Sequence, residues 1–186
     1  MSTLTDFINA ALDYLVLAAD IIIVLALGLM AYDKFRPGRL TLIKNFVVRR
    51  SVVLAGLVAL TATLGSLFFS EIMHYEPCKL CWLQRIFMYP LPLLLALALI
   101  KKDNQIRPYA MMLAVIGAAL ALYHYVLQVG QIHYQALENL VNCGTVGYSP
   151  SCTSYFFLSF GYITIPMMSL SAFVLIIVIL QNRLKQ

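Results

Sequence analysis

The chain has 186 residues, 62% of them apolar and 11% charged, with a mean hydropathy of +0.86. Soluble domains average about 25% charged residues, so this composition excludes an ordinary water-soluble domain and indicates an integral membrane protein. The net charge of +5 does not point to nucleic acid, because the basic residues stand between apolar runs, where they set topology.

Residues 1–13 carry Asp6 and Asp13 but no Lys or Arg, and the basic residues follow the first apolar run. A secretory signal has the opposite order, so residues 14–32 read as a retained first span. Asp20 lies inside it. A bare carboxylate near mid-bilayer costs roughly 2.5–3.5 kcal/mol, so Asp20 is expected to face other helices or to carry a proton. Residues 33–51 form a basic loop with Lys34, Arg36, Arg39, Lys44, Arg49 and Arg50. Residues 52–70 form the second span, whose Gly56, Ala59, Gly65 and Ser66 suit close helix packing.

A short link leads to the third span, which starts near Cys78 and ends at Ile100. Pro90 and Pro92 fall inside it and predict a kink, since each removes a backbone donor. Residues 101–108 are a short basic loop. The fourth span runs from Tyr109 to Gln128, with a small-residue patch at Gly117, Ala118 and Ala119. Residues 129–162 make a long polar loop rich in turn formers, within which 132–141 has the spacing of a short surface helix. The last span runs from Ile163 to Leu180, with Pro166 in its first turn. The pattern is all-α, with five spans.

Sidedness follows from the basic residues. Eleven Lys and Arg lie in the stretches that share one face of the membrane, and only Lys79 and Arg85 lie toward the other. The positive-inside rule puts the first group in the cytoplasm, with the N-terminus outside and the C-terminus inside. All four cysteines, Cys78, Cys81, Cys143 and Cys152, then face the side where disulfides persist.

The stretch Glu76-Pro77-Cys78-Lys79-Leu80-Cys81-Trp82-Leu83-Gln84-Arg85 carries the chemistry. Proline suits a helix start, which places both thiols at the positive end of the helix dipole. That setting favours thiolate, the form that attacks disulfides. Arg85 follows Cys81 by one turn on the same helix face. Four cysteines allow three pairings, and the local pairs Cys78–Cys81 and Cys143–Cys152 are the simplest. A zinc site commonly joins two Cys-x-x-Cys units across 15–20 residues. Here the second pair is Cys-x8-Cys and 61 residues intervene, so no metal is expected. A membrane scaffold with two structural disulfides is the non-enzymatic alternative, although a very short loop gains least from a crosslink.

Residues 52–180 resemble the DsbB family of membrane thiol oxidases, in particular its BdbC-type branch. The resemblance is carried by Leu64-Gly65-Ser66-Leu67-Phe68-Phe69-Ser70-Glu71-Ile72, by Pro77 to Arg85 with Met88-Tyr89-Pro90, and by Tyr123-His124-Tyr125. The cysteine pair of the last outer loop and Phe160-Gly161-Tyr162-Ile163-Thr164-Ile165-Pro166 complete it. It implies a four-helix transmembrane bundle at residues 52–186, preceded by an extra transmembrane helix and basic cytoplasmic loop at residues 1–51. It implies a bacterial plasma-membrane protein that reoxidises a DsbA-like, thioredoxin-fold dithiol protein and passes electrons to a quinone, ubiquinone or menaquinone, from the membrane pool. Cys143 and Cys152 would be the pair the partner reduces. Cys78 and Cys81 would reoxidise that pair, with Arg85 and His124 at the quinone site. A vitamin-K-epoxide-reductase-like enzyme is the enzymatic alternative, but its Cys-x-x-Cys belongs late in the bundle and this one is early.

Overall fold

The computed structural model describes residues 2–35, 41–103, 105–134, 152 and 156–181. Six α-helices account for most of them: α1 Ser2–Phe35, α2 Thr41–Leu67, α3 Lys79–Met88, α4 Pro90–Lys101, α5 Ile106–Tyr134 and α6 Ile165–Gln181. A five-residue π-helix, Phe68–Ile72, prolongs α2. By length and composition four helices can cross a membrane: Thr5–Asp33, Asn45–Ile72, Lys79–Lys101 and Ile106–Gly130. The fifth, α6, is apolar and has 17 residues, about 26 Å of helix at 1.5 Å per residue. The molecule is a helical membrane bundle of α2, α3–α4, α5 and α6, with α1 laid chiefly against α6.

Two helices begin earlier than the apolar pattern indicates. α1 starts at Ser2, because Ala10, Ala11 and Leu12 are strong helix formers and no Gly or Pro occurs before Gly28. α2 starts at Thr41, so Lys44, Arg49 and Arg50 ride on a helix rather than in a loop. At this basic end the Arg107 guanidinium donates to the Val48 carbonyl at 2.9 Å, tying the start of α5 to α2. The third span is interrupted where the prolines predict it. Tyr89 separates α3 from α4, and Pro90 is the first residue of α4.

Small residues let the bundle close. Ala55 and Ala59 of α2 and Ala110, Ala114 and Ala121 of α5 are fully buried against Leu91, Leu95 and Phe173. Gly117 lies under the Phe173 ring so closely that a Cβ there would collide with Cζ. Large apolar side chains such as Leu60, Leu93 and Leu122 are exposed, as lipid contact requires.

α1 docks through polar contacts. The Asp20 carboxylate accepts from Tyr162 Oη at 3.0 Å and from Ser171 Oγ. Asp13 accepts from Ser159 Oγ at 2.7 Å. Asp20 is therefore partnered by other elements, as its position in a span demanded. The turn that supplies these donors is tight. Ser159 and Ile163 form a β-bridge, and φ is +51° at Phe160 and +77° at Gly161. Glycine adopts that geometry freely, whereas a bulky residue does so under strain. The Phe160 ring lies edge-on against Tyr14 of α1, with centroids 5.7 Å apart.

Candidate functional site

Pro77 has no backbone donor and the helix begins two residues later. Cys78 is the N-cap of α3, with its sulfur accepting from the Cys81 N–H at 3.4 Å. Cys78 thus stands just outside the helix, and Cys81 lies in its first turn. The two sulfurs are 3.2 Å apart, with Cys78 donating to Cys81. That is hydrogen-bond range for sulfur and far beyond the ~2.05 Å of a disulfide.

The shared proton divides the pair. The bond to Cys81 is the main cause that pushes the Cys78 thiol up to about 12, and burial adds to it. The expectation that the helix start favours thiolate therefore does not hold for Cys78. The bond to Cys81 and burial together hold its proton.

Each cysteine of the pair faces a different way. Cys78 is buried and clusters with Cys152, which is fully buried, while Leu80 and Cys81 pack around them. Cys81 instead lines a cavity of about 320 Å³. Gln84, Arg85 and Tyr89 share that cavity's wall with Ser66 of α2 and Phe69 of the π-helix. Cys81 thus stands between the cysteine cluster and the cavity, while Cys78 belongs to the cluster.

His124 belongs to the cysteine side. It is 1% exposed and sits in α5, with Nε2 3.0 Å from the Cys152 carbonyl and 3.6 Å from Cys78 Sγ. A carbonyl only accepts, so Nε2 carries the proton. Nδ1 is then the acceptor of a neutral ring, and Gln84 donates to it from Nε2 at 2.9 Å. Among the described residues, His124 was expected at the acceptor site. It is not among the residues that line the cavity, and it neighbours that wall through Gln84 and through Cys78 beside Cys81.

Arg85 has a structural anchor and a free reach. Its Nη2 donates to the Ser66 carbonyl at 3.1 Å, and its guanidinium lies 5.3 Å from the Trp82 ring centroid and 5.9 Å from that of Tyr89. Tyr89 in turn hydrogen-bonds Ser66 Oγ at 3.2 Å. The same Ser66 carbonyl also accepts from Ser70 Oγ of the π-helix at 3.3 Å. The wider bonding register of that helix, with Met73 N reaching Phe68 O, disturbs the α-helical ladder just before it. A guanidinium has five N–H donors, and the Ser66 bond uses one.

The sequence-predicted residues divide accordingly. The structure brings Cys78, Cys81, Cys152 and His124 together and sets Arg85 beside Cys81 on the cavity. Cys143 and the surface helix expected at 132–141 lie outside the described residues, apart from the last turn of α5. Gln84 was quoted in the motif but given no role. Its signal was a buried amide one turn from Cys81 in an apolar run. The α1 residues at the cavity had no signal in the motif at all. Cys78 Sγ, Cys81 Sγ and a His124 ring nitrogen lie within 4.8 Å of one another, a donor set that suits a soft cation such as zinc in the reduced protein.

The model for the family of disulfide bond formation protein DsbB matches residues 48–181. "Probable disulfide formation protein C 1" of Bacillus anthracis is 49% identical over 117 residues, 63% of this chain and 79% of that protein. "Disulfide bond formation protein C" of Bacillus subtilis (strain 168) is 42% identical over 121 residues, 65% of this chain and 83% of its own length. From the same organism, "SPbeta prophage-derived disulfide bond formation protein B" is 41% identical over 130 residues, 67% of this chain and 82% of that protein. No solved structure matches.

Proposed function

The chain belongs to the DsbB family of disulfide bond formation proteins, which makes it a multi-pass membrane disulfide oxidoreductase, and we propose that it draws electrons from an extracytoplasmic thioredoxin-like dithiol protein and delivers them to a quinone. The observation that carries this reading is the two-faced cysteine pair: Cys78 against Cys152, Cys81 on the cavity.

On the cysteine side the chemistry is thiol–disulfide exchange. With Cys143–Cys152 oxidised, a partner thiolate attacks Cys143 and Cys152 leaves as thiolate. The partner's second thiol then closes its own disulfide and frees Cys143. Cys152 attacks Cys78, and the electron pair of the Cys78–Cys81 bond leaves on Cys81. Cys143 resolves the Cys78–Cys152 bond and restores the loop disulfide. Two electrons and two protons have moved from the partner to Cys78 and Cys81. The burial of Cys152 supports its place as the inner sulfur of its pair. His124 holds the Cys152 main chain at Cys78, and Gln84 fixes the ring that does so.

The cavity fits a quinone by size and lining. Ligand sites run from about 300 to 1,000 Å³, mostly apolar with a few placed polar groups, and here those groups are Arg85, Gln84 and Tyr89 beside Cys81. A quinone, when bound, supplies an acceptor for two electrons and two protons. Arg85 would hold one of its oxygens, a preorganised charge near the sulfur that gives up electrons. The rings of Trp82 and Tyr89 and the Ser66 carbonyl hold the guanidinium there.

The eleven-to-two distribution of basic residues supports a bacterial plasma-membrane orientation with the cysteines outside. The test is purified protein given a reduced thioredoxin-like partner and a quinone. The reading requires quinone consumption that depends on all four cysteines. A scaffold would keep its disulfides through the same treatment.

A further inference from the structure

We propose that the N-terminal helix α1 is the outer wall of the acceptor cavity and sets how well the cavity takes an acceptor with a long apolar tail. The proposal rests on the quinone reading above.

Leu12, Leu15, Val16 and Ala19 line the same cavity as Cys81 and Arg85. Their spacing is i, i+3, i+4, i+7, one face of a helix. The facing wall comes from α2, through Leu57, Val58, Thr61, Ala62 and Gly65. The two walls are close at the bottom: a Cβ on Gly65 would lie 3.4 Å from Leu12 Cδ2. Away from Cys81 and Arg85 the α1 and α2 walls are aliphatic except for Thr61, whose hydroxyl donates to the Leu57 carbonyl at 2.9 Å, and Ser169 and Ser171 enter from α6. That division matches a ligand with a polar ring and an apolar tail.

α1 is fixed in register rather than merely adjacent. Asp13 lies within the cavity-lining segment and Asp20 directly after it, and both are held by hydroxyls of the segment 159–171. Ser171, which donates to Asp20, itself lines the cavity. Beyond this segment, Ile21, Ile22, Val24 and Leu25 are exposed. α1 also lies wholly outside the residues 48–181 that the family model matches. The wall is therefore supplied by a part of the chain for which family membership sets no expectation.

The experiment uses the full chain in detergent or nanodiscs with two acceptors, a polyprenyl benzoquinone and a tail-less benzoquinone of the same ring. A second probe is the polyprenyl quinone carrying a tail diazirine, with the labelled peptides mapped after illumination. In the parent protein, label is expected on α1 between Leu12 and Ala19. Val16→Trp should raise KM for the prenylated quinone by roughly tenfold, the order that one or two methylenes of misfit produce in an apolar pocket. KM for the tail-less quinone should stay within about twofold. Val16→Phe is the milder variant if Val16→Trp does not assemble. Single-turnover oxidation of the partner by the preformed disulfides reports assembly and should be unchanged. Label confined to residues 41–181, or equal KM changes for both quinones, would overturn the proposal and leave the quinone reading standing. A parent protein that reduces neither quinone would overturn that reading and this proposal with it.

Discussion

His124 Nε2 donates to the Cys152 carbonyl at 3.0 Å, and this bond ties the loop carrying one cysteine pair to the helix behind the other. Both groups are buried, so the bond is exchanged for no water when it breaks. Loss of one partner leaves the other unsatisfied, at a cost of about 1–3 kcal/mol. His124→Phe keeps ring volume and removes the donor. It should slow electron transfer from Cys143/Cys152 to Cys78/Cys81 by roughly tenfold or more, while reduced Cys78/Cys81 still reduces quinone at the parental rate. Quench-flow with differential alkylation separates the two steps. A change confined to the quinone step would move His124 to the cavity side.

The relay order predicts two different trapped species. Cys152→Ala leaves Cys143 a lone thiol that attacks the disulfide of an oxidised partner and has no thiol of its own loop to resolve the product, so the partner should accumulate on Cys143. Cys81→Ala keeps Cys78 beside Cys152, and a Cys78–Cys152 disulfide should form within the chain. Non-reducing peptide mapping reads both. Partner trapped on Cys78 in the Cys152→Ala protein would reverse the order.

Cys78 should be slow to alkylate in the reduced protein, and the pH profile gives the reason. Its thiol is pushed up to about 12, first by the bond to Cys81. The neutral thiol therefore dominates below that pH, and only the thiolate reacts. The alkylation rate at Cys78 should climb about tenfold per pH unit through pH 7–10, with no plateau near the ordinary value of 9.0. In Cys81→Ala the profile should shift to lower pH, because the leading cause is gone. A plateau in the parent near pH 9, or no shift in the variant, would show that the two thiols are not coupled.

Gly117 reports on the bundle itself. Its missing side chain is the space occupied by Phe173, which is fully buried. Gly117→Val should force the ring off its site and destabilise the bundle by about 1–3 kcal/mol, seen as a lower Tm in detergent. Phe173→Leu in the same chain should restore part of the loss. Independent, additive effects would mean that the two residues do not share a contact.

Much of this was legible in the residue pattern. Runs of apolar residues between basic stretches place the spans, because length and transfer energy decide them. The Cys78–Cys81 motif and Arg85 stand out because thiols and a cation at one helix start are chemically conspicuous. The side to which each sulfur turns was not legible. It depends on Cys78 being the cap and Cys81 the first turn, a difference of about one residue in where α3 begins. The resemblance puts His124 at the acceptor site, and the pattern carries no sign that α5 also brings its ring to Cys78 and the Cys152 carbonyl. Gln84 was hidden because a single amide in an apolar run has many uses. The α1 wall was beyond the pattern altogether, since Asp13 and Asp20 find their hydroxyls more than 130 residues away in the chain.

The central claim is that electrons leave through Cys81 to an acceptor held by Arg85. Anaerobic stopped-flow of quinone reduction, with a prereduced partner, tests it in the parent and in Arg85→Lys. Lysine keeps the charge but loses the planar fork. The account predicts one quinone consumed per partner dithiol in the parent. In Arg85→Lys it predicts a loss in kcat/KM equivalent to about 2–4 kcal/mol, with oxidation of the partner by the preformed disulfides unaltered. Partner oxidation without quinone consumption in the parent, or parental quinone turnover in a well-assembled Arg85→Lys protein, would contradict it.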